Sequence, residues 1–190
     1  MRLLALVACA LGASLSSLTF ASDDCDRNSV MTKDIFQCAN SLYENIDSKL
    51  NEQYSNMVAR PSAYNRNLLL EGERAWIKYR DSRCEDIYES ILPGEEAEIE
   101  KTACLISLTS SRLIELIYLE TGANGDGFYN SLSSISRISS KNRDEILLYI
   151  EDIVSRPKET DYYKKNCELS RALYAEDEKL CLARMKFQSM

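Results

Sequence analysis

The chain contains no histidine among its 190 residues. That absence removes Ser-His-Asp and Cys-His catalysis, HExxH-type zinc hydrolysis and any haem or zinc site that needs imidazole. Glycine and proline are scarce too, at six and three, which excludes collagenous and low-complexity chains. No Cys-x-x-Cys occurs, so neither a thioredoxin-type redox site nor a zinc knuckle is indicated. No stretch of useful length alternates apolar and polar residues, so there is no candidate strand. Carboxylate chemistry, thiol chemistry or binding without chemistry remain, and no cofactor or metal is implied.

Met1 and Arg2 precede an apolar run, Leu3 to Phe20, closed by Thr19-Phe20-Ala21 ahead of Ser22-Asp23-Asp24. This reads as a signal peptide over residues 1–21, cleaved after Ala21. A bacterial periplasmic or secreted location follows, with no membrane attachment unless Cys9, behind Leu6-Val7-Ala8, is lipidated. The apolar run ahead of Cys9 is six residues, short of the roughly 7–15 of a signal core. Cleavage leaves six cysteines, Cys25, Cys38, Cys84, Cys104, Cys167 and Cys181. An even number in an exported chain suggests disulfides.

Between the few prolines and glycines the apolar residues recur every three or four positions, which makes the protein all-α. Ile35, Cys38, Leu42, Ile46, Leu50, Tyr54 and Met57 form one stripe of a helix from Thr32 to Ala59. A second helix, Ser62 to Ile91, turns Leu69, Trp76, Tyr79, Cys84, Ile87 and Ile91 inward. The third, Glu95 to about Leu119, does the same with Ile99, Ala103, Ile106, Leu113 and Ile117. Short connections at Pro61 and Pro93-Gly94 make consecutive helices antiparallel neighbours. The expected domain thus spans residues 22–120 as an antiparallel three-helix unit. A Gly-rich linker over 121–127 follows, then a small helical C-terminal region over 128–190. In that region Asn142 caps a helix facing inward through Ile146, Ile150 and Ile153 and ended by Pro157. Two shorter helices follow, about Asp161 to Tyr174 and Glu176 to Phe187.

Helix rise orders the cysteines. Cys84 and Cys104 each lie about 14–15 Å from the turn between the second and third helices, level with each other. Pairing them leaves Cys25–Cys38 and Cys167–Cys181, while a rival pairing joins Cys38 to Cys84.

Cys25, Cys38-Ala39, Asp47, Leu50-Asn51, Tyr54, Ala75-Trp76-Ile77, Tyr79-Arg80-Asp81, Cys84, Cys104 and Arg112 stand in an order and spacing that resembles the lysozyme inhibitor LprI N-terminal domain family of small exported bacterial proteins. The resemblance covers about residues 25–120, and the run from Trp76 to Cys84 is its most specific part. It implies a cysteine-bridged helical domain in the envelope and, for the family's namesake, binding and inhibition of lysozyme. The namesake is a lipoprotein, whereas this chain is expected to be one only if Cys9 is lipidated, so membrane anchoring does not follow from the resemblance.

Trp76, Tyr79, Arg80 and Asp81 read as a structural motif, with Trp76 in the core and Arg80 paired to Asp47 or Asp81. The segment from Cys84 to Glu100 has seven carboxylates and no Lys or Arg. Glu85, Asp86, Glu89, Glu95 and Glu96 therefore form the candidate partner surface at the hairpin tip. Carboxylates favour the start of the third helix, but not the last turns of the second, where Glu85, Asp86 and Glu89 stand. A basic partner, such as a lysozyme or a delivered toxin, fits an acidic protrusion. The net charge of −7 disfavours nucleic acid. The reading is a non-enzymatic binder, with immunity toward another toxin or an envelope assembly role as alternatives.

Overall fold

The structure, a computed structural model, describes residues 25–26, 28–60, 63–123, 127–152 and 157–188. The signal segment, Cys9 and Ile153 lie outside the described residues, as do Pro61 and the middle of the expected linker. Among the described residues every regular element is a helix. These are α1 (Thr32–Ala59), α2 (Ala63–Ile91), α3 (Ala97–Thr121), α4 (Gly127–Ile138), α5 (Arg143–Glu151), α6 (Pro157–Tyr174) and α7 (Glu178–Gln188).

The ends of these helices follow local chemistry. Asn142 caps α5 by accepting from the Glu145 N–H while the Glu145 carboxylate accepts from the Asn142 N–H, a reciprocal capping box. Gly122 ends α3 at a φ of 72°, its N–H donating to the Tyr118 carbonyl at 2.7 Å, a conformation that glycine adopts without a Cβ penalty. Between α2 and α3, a Cβ on Gly94 would stand 2.9 Å from the Ile91 carbonyl oxygen, so only glycine fits that tight turn. α5 ends at Glu151, short of Pro157, and Pro157 instead opens α6. Its missing N–H costs nothing at a first helical position.

The packing differs from a chain of consecutive neighbours. α1 lies mainly on α3 and scarcely touches α2, whereas α2 packs on α3 and α6. One core joins Leu50 and Met57 of α1, Leu69 and Trp76 of α2, Leu116 and Leu119 of α3, Tyr162 and Leu169 of α6, and Met185 of α7. This core draws side chains from both sides of residues 121–127. The composition changes there, but α6 supplies the apolar surface that covers α2. A second, smaller core brings Phe128 and Leu132 of α4 against Ile146 and Ile150 of α5 and Ala183 of α7. α7 serves both cores from opposite faces.

Two expected stripes need correction. Ile35 and Leu42 remain 40% and 51% exposed, and the buried side chains of α1, Leu50 and Met57, lie in its second half. On α3, Ala103 and Ile117 are exposed, while Thr109, Arg112, Glu115 and Leu116 are buried. The buried face of α3 carries a polar ridge, which a search for apolar periodicity turns away from the core.

The structure bonds Cys25 to Cys38, Cys84 to Cys104 and Cys167 to Cys181, with Cα separations of 4.9, 5.5 and 5.8 Å. The Cys38–Cys84 alternative is not formed. Three disulfides fit an oxidising compartment.

Candidate functional site

The run from Trp76 to Asp81 lies in the middle of α2, where helical phase sends alternate members to different neighbours. Trp76 is 2% exposed. Tyr79 is buried against α6, stacked on Tyr162 at 5.9 Å and edge-on to Tyr163 at 6.3 Å. The Arg80 guanidinium lies 4.8 Å from the centre of the Trp76 ring. It pairs with Asp81 at 2.8 Å and reaches Asp47 of α1 at 3.7 Å. Asn51, one turn along α1, donates to the same Asp47 carboxylate at 2.8 Å.

Because α1 and α2 both lean on α3, a trough of about 370 Å³ stays open between them, with Leu50 and Trp76 among its lining. Tyr43 and Tyr54 line it from α1, and Arg74 and Arg80 from α2. Burial raises the pKa of both tyrosines, partly offset at Tyr43 by Arg80 and reinforced at Tyr54 by Glu73. Both phenols are therefore neutral at physiological pH.

The hairpin tip comprises the end of α2, the Leu92–Glu96 turn and the start of α3. Glu89, Glu95, Glu96, Glu98 and Glu100 are exposed there, as is Asp86, and Leu92 is 49% exposed beside them. Glu85 behaves differently. Lys101, just beyond the acidic segment, folds back to donate to it at 2.6 Å and lies 4.8 Å from the Tyr88 ring centre. That hydrogen bond raises the Lys101 pKa. Helix α3 thus returns one positive charge to the tip, and the acidic surface centres on Glu89, Glu95 and Glu96.

Sequence reasoning missed a buried ionic network behind α3. Arg112 donates from Nε and Nη2 to Glu73 at 3.0 and 2.8 Å and from Nη1 to Asn166 at 2.7 Å. Asn166 in turn donates to Glu115 at 2.6 Å. Arg184 of α7 donates to both oxygens of Glu115 and to Glu176, at 3.0 Å for the Nε bond to Glu176. The Arg184 and Glu115 side chains are fully buried. Burial works against both guanidinium charges. At Arg112 the oxygens of Tyr162, Glu73 and Glu115 outweigh it, and at Arg184 those of Glu115 and Glu176 do, so both pKa values rise above the ordinary arginine value. A signal was present: Arg112 and Glu115 are the only charges between Lys101 and Glu120, on a helix otherwise apolar enough for a core.

These residues place the chain among known proteins. The model of the family Lysozyme inhibitor LprI matches residues 25–116. Uncharacterized protein R02472 of Rhizobium meliloti (strain 1021) is 32% identical over 106 residues, which span 49% of this chain and 76% of that protein. The chain belongs to the LprI family. Uncharacterized protein YecT of Escherichia coli (strain K12) is also similar, 28% identical over 126 residues that span 58% of this chain and 73% of that protein. No solved structure matches. The LprI match stops inside α3 at residue 116, so Arg184, which neutralises Glu115, stands outside it.

Proposed function

We propose that this protein is an exported, periplasmic or secreted binder that blocks a basic muramidase of the lysozyme type, and that it carries out no turnover of its own. The supporting observation is the hairpin tip, read together with LprI membership. At the end of two disulfide-bonded helices, Glu89, Glu95 and Glu96 stand exposed with Leu92 among them. The Cys84–Cys104 bond ties α2 to α3 behind the tip. The carboxylates are thus presented on a constrained element, which limits the ordering cost of binding.

A negatively charged turn with an exposed apolar residue among its carboxylates suits a groove lined with Lys and Arg. The charges accelerate encounter and fix orientation, and the apolar residue is desolvated on contact. Steric occlusion of the groove is then sufficient for inhibition.

The test uses the purified protein against a basic lysozyme at low and physiological salt, recording binding and cell-wall lysis together. Micromolar or tighter, salt-sensitive binding with inhibition is expected. Glu89→Lys with Glu96→Lys should weaken it at least tenfold while the far-ultraviolet circular dichroism stays helical. Unchanged affinity in that variant would refute the tip as the contact surface, and no binding at micromolar concentrations would refute the lysozyme reading.

A further inference from the structure

We propose that the trough between α1 and α2 is a binding site for a neutral oligosaccharide, with tyrosines near its two ends and hydrogen-bonding side chains of complementary kind along its two walls.

Its dimensions come from the helices. Tyr43 and Tyr54 line it eleven residues apart on α1, about 16 Å at 1.5 Å per residue, which is the length of a few linked pyranose rings. The open volume of about 370 Å³ lies in the range of small-ligand sites.

The lining selects the chemistry. On the α1 wall Asp47 offers carboxylate oxygens and Asn51 an amide, and on the α2 wall Arg74 and Arg80 offer N–H groups. A sugar hydroxyl both donates and accepts, so it finds a partner on either wall. Arg112 already neutralises Glu73 and Asp81 pairs with Arg80, which leaves Asp47 against Arg74, so an anion or a cation gains no net attraction from the trough. A phosphate-bearing ligand would need an excess of donors, which the trough does not have, and an amphipathic helix would bury Asp47, Asn51, Arg74 and Arg80 against its apolar face.

Two further observations show groups available to a ligand. Tyr43 and Tyr54 are only partly buried, and neither hydroxyl has a hydrogen-bond partner among the described residues. Arg74 is exposed and forms no ion pair there either. Aromatic rings give the apolar faces of pyranose rings a surface to lie on, and the phenol hydroxyls supply polar contacts at the edges. This site does not depend on the acidic tip, since it lies along the helices rather than at their turn and carries no net charge.

Trp76 is the only tryptophan in the chain and lines the trough, so its fluorescence reports occupancy. The disulfide-intact protein is titrated with chitotetraose, cellotetraose and maltotetraose, following Trp76 emission and calorimetric heat at low and high salt. At least one of the three should give a saturable change that salt leaves within twofold. Asn51→Ala with Arg74→Ala, both exposed positions, should raise its Kd at least tenfold at unchanged helicity. The tip variant Glu89→Lys with Glu96→Lys should bind the sugar as the parent does. No saturable signal with any of the three at millimolar concentration would overturn the proposal. So would sugar binding that survives the trough variant or is lost in the tip variant.

Discussion

Replacing Arg184 with methionine removes the cation that holds α7 to α3. Arg184 contributes hydrogen bonds to Glu115 and to Glu176, and the three side chains are 0%, 0% and 5% exposed. Methionine fills much of the space but leaves two carboxylates inside the protein with fewer donors. Glu115 keeps the Asn166 N–H at 2.6 Å, and Glu176 keeps the Ser170 hydroxyl. Breaking a buried pair in this way costs about 3–5 kcal/mol, because the remaining charge is uncompensated. Set against a total stability of roughly 5–15 kcal/mol, that is a large share, and it should lower Tm by about 10 °C. The assay is urea unfolding followed by circular dichroism and Trp76 fluorescence, with the disulfides kept oxidised. Adding Glu115→Gln to Arg184→Met should restore at least about 1 kcal/mol, since the amide still accepts from Asn166 and carries no charge. A loss below about 1 kcal/mol for Arg184→Met, or no recovery in the double variant, would refute a charge-based role for this network.

Three other outcomes follow from the same structure. The Tyr162 pKa is raised by burial above the usual tyrosine value of 10.0. Below about pH 10 the phenol is neutral in both states. Above it the unfolded chain ionises while the folded one holds its proton, so stability falls by about 1.4 kcal/mol per pH unit. Tyr162→Phe should flatten the stability profile by that slope between pH 10 and 12 in chemical unfolding, and an unchanged slope would contradict the assignment. Asn142→Ala removes one side of the α5 capping box and should cost about 1 kcal/mol, read as faster amide exchange in α5. Replacing Cys84 and Cys104 by alanine opens a loop of sequence separation 20 and should destabilise by about 3 kcal/mol in the chain-entropy picture, measured by chemical unfolding against the parent.

The bounds of α1 were legible because its apolar residues keep one period from Ile35 to Met57, and Thr32–Ala59 is the helix observed. The inner face of α5 was legible for the same reason, with Ile146 and Ile150 buried. α4 escaped notice because Ser131, Ser133, Ser134 and Ser136 give it a weak intrinsic preference for helix. Packing supplies what propensity does not, through Phe128 and Leu132, at 4% and 5% exposure, and a Phe128–Phe187 ring contact at 5.5 Å. The face of α3 was misjudged for a related reason. Its most buried side chains include Arg112 and Glu115, whose charges are satisfied by residues distant in sequence, and no local pattern reveals such partners. The acidic tip was visible as composition, whereas the return of Lys101 to Glu85 depends on three-dimensional placement.

The residues beyond the family match explain why both candidate surfaces remain open. α2 has neighbours around most of its circumference: α3 on one side, α6 on another through Tyr79 and the Lys165–Glu71 pair, and α1 only across the trough. α6 and α7 cover the faces of α2 and α3 that carry Glu73, Arg112 and Glu115, which would otherwise expose an ionic ridge and an aromatic cluster together. Trp76 stands at the junction, lining the trough on one side and a packed cluster with Tyr162 and Tyr163 on the other. Covering that second side fixes the Trp76 ring, and through it the Arg80 guanidinium that lies over it and reaches Asp47. The C-terminal helices thus act on the trough without lining it. A change at Arg184 that loosens α7 should therefore reach Trp76 through Met185 and Tyr162 before it reaches the disulfide-tied tip, and its fluorescence should respond while the binding proposed for the tip is left unchanged.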